Sequence, residues 1–199
     1  MKKSMFFISF ILIGFAVQAE NKSELMEKYF NHKEIQRLNQ LVNDFDKHII
    51  STYRQSRDLG MAWNSFFAAL ASVKTSSEIK EKINLSEEEQ DEMLKKVGIE
   101  TLEKIWNIDI SSSEKDEKHI KLESLKYKSN YTRFLVDLSE ENELIKNYHK
   151  SIEVAGDISP ASVTNLIQHQ TELDIHDINI RFFLAVHYLS LNKDALKRL

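Results

Sequence analysis

Asp174 to Leu191 reads DIHDINIRFFLAVHYLSL. Coiled as a helix behind Asp174 as its cap, this segment carries Ile175, Ile178, Phe182, Phe183, Ala185, Val186 and Leu189, and almost no face is left polar. A helix that is apolar nearly all round belongs at the centre of a core. His187 and Ser190 interrupt the apolar run and Arg181 precedes it, so it falls short of the ~20 apolar residues of a membrane span. The remaining chain is expected to wrap around this segment.

Working back from it, the wrapping elements also read as helices. Ile35, Leu38, Leu41, Val42, Phe45, Ile49 and Ile50 recur at spacings of three and four, the stripe of an amphipathic helix of about five turns. Asp58 is placed to cap a helix carrying Met61, Trp63, Phe66, Phe67, Leu70 and Val73, with Ala68, Ala69 and Ala71 allowing close approach. Lys74 to Lys82 is polar and reads as a connection. Ser86-Glu87-Glu88-Glu89 is a capping box, and its helix is expected to reach Val97, with Gly98 ending or bending it before Ile99 to Trp106.

Asn107 to Lys118, with its Ser111-Ser112-Ser113 run, reads as a linker. A lysine-rich helix with Leu122, Leu125, Phe134, Leu135 and Leu138 is expected after it. Ser139 restarts a helix that Gly156 closes. Ser159-Pro160 supplies the cap and first position of another, lined by Val163, Leu166 and Ile167.

The expected fold is therefore all-α: an irregular multi-helix bundle of roughly seven or eight helices, one domain over residues 20–199, with a possible internal linker at 107–118. Composition agrees. Only 4 Gly and 1 Pro are present, too few for a turn-rich β sandwich or barrel. With 42% hydrophobic and 29% charged residues the balance is that of a folded chain. There is no Cys, which excludes disulfides, thiolate nucleophiles and Cys-ligated metals.

The N-terminus has the layout of an export signal. Lys2 and Lys3 precede the apolar run Met5 to Val17, and Val17-Gln18-Ala19 places small residues at −3 and −1 before Glu20. Residues 1–19 are thus expected to be a cleaved signal peptide, and the mature chain to be exported, periplasmic or secreted, without a permanent membrane span. Their removal takes away two lysines and no acid, moving the formal charge from −4 to −6. That sign gives no general attraction to nucleic acid.

Chemistry is harder to find. No two of the seven histidines are three or four residues apart, and no Glu stands three residues before one, so neither helical metal pair is present. On one helix His169, His176 and His187 would lie roughly 10 and 16 Å apart, too far for one ion. No metal and no cofactor is expected. The chain has no Gly-x-Ser-x-Gly and no Gly-rich phosphate loop. A Ser–His–Asp set drawn from distant segments is recognised by geometry and not by spacing. The acids of Glu87 to Glu92 and of Glu140, Glu141 and Glu143 fit helix starts, where they complement the dipole.

One basic stripe stands out. Lys118, Lys121, Lys126, Lys128 and Arg133 face a single acid, Glu123, with Tyr127 and Tyr131 interleaved. Basic groups with aromatic faces hold anionic polymers or headgroups, so Lys126, Tyr127, Lys128, Tyr131 and Arg133 are the candidate ligand residues. A solvated helix face with half-buried tyrosines is the plainer reading.

The functional expectation is a non-catalytic exported protein that binds an envelope protein or polymer. The alternative is an extracytoplasmic hydrolase whose site is assembled from separate helices, with His149 or His187 meeting a carboxylate. A third is a binder of a small apolar ligand through Trp63, Phe66, Phe182 and Phe183. Expressed from its full reading frame in an exporting bacterial host, the protein should yield a mature N-terminus at Glu20 on Edman sequencing. Soluble cytoplasmic protein that still begins at Met1 would refute export.

Overall fold

The computed structural model describes residues 23–53, 58–112, 118–140 and 142–192. The expected signal peptide lies outside them. The described residues form ten α-helices and one two-stranded sheet.

Helix α1 (Glu24–Glu27) is a single turn capped by Ser23, and it buries Met26. Helix α2 (His32–Thr52) opens on a capping box in which the Asn31 side chain accepts from Glu34 N–H and Glu34 accepts from Asn31 N–H. Its buried stripe of Ile35, Leu38, Leu41, Val42, Phe45 and Ile49 follows the sequence pattern. Helix α3 (Leu59–Leu70) is capped by Asp58 and buries Trp63, Phe66, Phe67 and Leu70. The polar stretch after it is no mere connection. Thr75 caps α4 (Ser76–Ile83), whose buried residues are Ile79 and Ile83.

Helix α5 (Glu87–Val97) starts at the expected Ser86/Glu89 box. Gly98, at φ +84, separates it from the one-turn α6 (Ile99–Leu102). The next segment corrects the sequence reading. Within the expected linker, Asn107 to Ser112 and Lys118 are strand, and Leu122 and Leu125 are strand and not helix. Trp106–Ser112 forms β1 and Lys118–Leu125 forms β2, an antiparallel pair that sets Ile108 opposite Leu122 and Ile110 opposite Ile120. The cause is a two-residue alternation, Trp106, Ile108, Ile110 on one strand and Ile120, Leu122 on the other, which places the apolar side chains on one face. Trp106, Leu122 and Leu125 anchor the hairpin in the core. The fold is thus mostly helical, as expected, with one small two-stranded sheet added. Among the described residues, no backbone hydrogen bond ties β1 to any element but β2, and Ile110 is 41% exposed.

Helix α7 (Asn130–Leu138) is capped at its start by Ser129 and ends at Ser139, so Ser139 closes a helix and does not begin one. Asn142 caps α8 (Glu143–Ala155), which Gly156 terminates at φ +77, a conformation that side-chain-bearing residues rarely adopt. Ser159 and Pro160 open α9 (Pro160–His169) as expected. A 3-10 turn, Gln170–Glu172, leads on, and the final helix α10 (Ile178–Leu191) is capped by Asp177 and not by Asp174. Leaving aside the two single-turn helices, the count agrees with the seven or eight expected.

Every residue of α10 except Asn179 is buried, which gives the central position read from its sequence. Its polar residues are each met by a different element. Arg181 pairs with Asp46 of α2, whose other oxygen accepts from Trp63 Nε1–H of α3 at 2.9 Å. Tyr188 donates to Gln170 in the 3-10 turn. Ser190 accepts from Trp106 Nε1–H of β1 at 2.8 Å. Burial pushes the Asp46 carboxyl up, against the pull of the Arg181 guanidinium and the Trp63 N–H.

Removing one member of a buried pair strands the other charge and costs about 3–5 kcal/mol, whereas replacing both with apolar residues of similar size is close to neutral. In urea unfolding, Asp46→Leu and Arg181→Met should each destabilise by that amount. The double variant should recover most of it; equal additive losses would contradict the pairing.

Candidate functional site

Four elements meet at one open polar groove of about 890 Å³, β1 contributing only Ser111. Helix α5 supplies the first wall. Leu94 and Val97 fix its inner face in the core, which leaves Glu87, Glu88 and Glu92 exposed and Asp91 on the boundary at 7% exposure. Strand β2 supplies the second wall, and the end of α10 closes the buried side with Asn192.

Asp91 joins the two walls. Its Oδ1 accepts from Ile120 N–H at 2.8 Å, and its Oδ2 accepts from His119 Nδ1–H at 3.0 Å and from Lys95 Nζ at 2.8 Å. Burial raises its pKa, but the Ile120 N–H, Lys95 and His119 together outweigh that and hold the carboxyl below its ordinary value. Asp91 is therefore a stable anion and not a proton donor. His119 is half exposed, and its strand partner directly opposite is Ser111, which also lines the groove.

At the buried side the Asn192 amide is oriented by two donations, from Nδ2 to Leu85 O at 2.9 Å and to Gln90 Oε1 at 2.7 Å. This orientation leaves Asn192 Oδ1 buried without a hydrogen-bond partner among the described residues, in a residue only 2% exposed. An unmatched buried acceptor costs roughly 1–3 kcal/mol.

The basic residues picked out in the sequence do not share a helix face. Lys126, Tyr127 and Lys128 form the exposed turn between β2 and α7, with Lys126 N–H donating to Ile105 O at 2.8 Å. Lys128 holds φ +52, and its Nζ sits 5.3 Å from the centre of the Tyr127 ring, which is 56% exposed. Arg133 lies in the first turn of α7 and donates from Nη2 to Asn130 Oδ1 at 2.9 Å. Tyr131 is fully buried and packs on Phe134 and Phe182, and burial pushes its phenol up. The turn thus gathers Lys126, Tyr127 and Lys128, while Tyr131 belongs to the core. Lys121 lies elsewhere, in the polar groove.

The histidines named for a hydrolytic site are placed differently again. His187 is fully buried and, among the described residues, meets no carboxylate; its Nδ1 shares a hydrogen bond of 2.9 Å with the Tyr148 hydroxyl, and its Nε2 has no partner among them. His149 stands 3.9 Å from Glu153, one turn along the same helix. Among the described residues no group of three His, Asp or Glu side chains is placed to hold a metal ion. Trp63, Phe66, Phe182 and Phe183 are all fully buried.

No family model, curated protein or solved structure matches this chain. The reading of the site rests on its own geometry. Sequence reasoning recognised the acidic start of α5 but not the groove, because the second wall was taken for a lysine-rich helix. The alternation Trp106-Asn107-Ile108-Asp109-Ile110 was the signal for β1, the strand that pairs with that wall.

His187 yields a pH dependence. Burial lowers its pKa from 6.5 to about 3, so it stays neutral in the fold while the unfolded chain takes up a proton below about pH 6.5. Its contribution is therefore complete above that pH and is lost as pH falls towards 3. Between pH 7 and pH 4 this amounts to about 3 kcal/mol. In urea titrations His187→Gln should lose less stability than the parent over that interval, by about this amount. Parallel pH profiles would show that His187 is not the responsible group.

Proposed function

We propose that this chain is an exported, non-catalytic binding protein of the cell envelope or secreted fraction, and that the groove between α5 and β2 is its recognition surface. The Asn192 carbonyl carries this reading. It is a buried, oriented acceptor left unmatched beside an open polar groove, and a bound donor would remove its cost. The groove is built on a helix and a strand, which position side chains more firmly than loops do. Export is supported by the basic, apolar and small-residue order of residues 2–19. The exposed turn of Lys126, Tyr127 and Lys128, with Arg133 close by in sequence, offers a separate contact for an anionic envelope polymer.

A second reading, an extracytoplasmic hydrolase, draws on the Asp91–His119 pair with Ser111 opposite. These are the residue types of a nucleophilic triad. Against it, Asp91 Oδ2 is shared with Lys95, and His119 is half exposed, so the imidazole is only loosely oriented.

A photo-crosslinking side chain placed at Ser111 should capture an envelope component, and one at Val154, which is 90% exposed and distant in sequence, should not. Equal capture from both positions would remove the groove from consideration. Ester turnover abolished by His119→Ala would replace the binding reading with the catalytic one.

A further inference from the structure

The groove's chemistry points to a class of ligand, an inference that rests on the groove being a binding surface at all. Its first wall presents acceptors at two depths. Glu88 and Glu92 are exposed, lie one helical turn apart, about 6 Å along the α5 axis, and among the described residues take part in no ion pair. Asn192 lines the same groove, and its Oδ1, also an acceptor, is buried and unmatched among the described residues. Glu89 is not available to a ligand, because the capping box holds it on Ser86 N–H and the Ser86 hydroxyl.

Of the groove's other charges, Asp91 and Lys95 are paired with each other, Glu87 stands 3.9 Å from Lys80, and Lys121 lines the β2 side. Asp91 is occupied by Ile120, His119 and Lys95, and Lys95 is drawn onto Asp91 at 2.8 Å. What remains open on the α5 side is two carboxylates and one amide carbonyl, all acceptors. Only a ligand rich in N–H donors satisfies such a set. A metal ion is a poor candidate, since among the described residues no three carboxylates or imidazoles converge. An ammonium or guanidinium has the needed donors and does not require converging ligands.

We propose that the groove binds an organic cation, with a primary ammonium or guanidinium seated between Glu88 and Glu92 and a donor reaching Asn192 Oδ1. The same chemistry is carried by a free polyamine and by the lysine and arginine side chains of a basic peptide. Asn192 supplies depth selectivity: a quaternary ammonium has no N–H to offer it and should bind less well than a primary one.

The test is a nitrogen–proton chemical-shift titration of the mature chain with four probes: spermidine, a short lysine–arginine peptide, inorganic phosphate and glucose. The proposal expects saturable shifts with spermidine or the peptide in the amides of residues 87–92 and 119–122 and in the Asn192 side-chain amide. Preference between those two probes separates the free amine from the peptide source. Glu88→Gln and Glu92→Gln, both exposed and outside the core, should each weaken binding about ten-fold, the loss of one charge-assisted contact, with melting temperature unchanged. Groove shifts with phosphate or glucose alone would overturn the cation and leave the groove as a binding surface. Shifts scattered over acidic residues elsewhere, untouched by the two variants, would overturn it as non-specific attraction. Silence of the groove amides with all four probes would remove both the cation and the groove.

Discussion

The ion pair between Asp46 and Arg181 is the constraint on which the packing around α10 depends. A helix that is apolar on every side has no intrinsic preference for one rotation over another. A buried guanidinium removes that freedom, because it must face the one carboxylate able to neutralise it. Once Arg181 meets Asp46, the remaining polar groups fall against separate elements: Tyr188 against Gln170, His187 against Tyr148, Ser190 against Trp106, and Asn192 against Leu85 and Gln90. Each contact fixes the register of one neighbour. Aromatic packing fills the space between them, as where Phe45 lies parallel to Tyr188 and Phe66 meets it edge-on.

The elements that were legible in the sequence are those with a long apolar stripe and a cap. Helices α3, α5 and α9 start on the expected Asp58, Ser86 and Ser159 caps, and α2 starts at His32, three residues before its predicted stripe, on an Asn31 cap that the sequence reading did not name. Helix α4 was hidden because only Ile79 and Ile83 of it reach the core. The start of α10 was misplaced by one turn because Asp174 and Asp177 are both competent caps, and only packing chooses between them. The hairpin was hidden because its alternation spans few residues and is diluted by serine and lysine.

The groove was less legible still. Asp91 meets residues 28 and 29 positions away, and Gln90 meets Asn192 across 102 positions. No local spacing records such pairings. Conversely, the basic stripe looked continuous in sequence because a strand, a turn and a helix follow one another without a gap. Tyr127 and Tyr131 are four residues apart, yet one lies on the surface and the other inside the core. His187 shows the same divide. Its place in the chain suggested chemistry, but the fold seals it in the neutral state beneath α8.

The hydrogen bond from Ile120 N–H to the Asp91 carboxylate also decides how the small sheet can grow. Asp91 stands where another strand's carbonyl would otherwise accept, so a helix side chain closes the β2 edge. The β1 edge has no such stopper among the described residues. When a sheet with one closed and one open edge joins a like edge across a two-fold axis, only closed edges face outward and growth ends. The hairpin is built so that edge-to-edge association stops at a pair and does not propagate into a fibre.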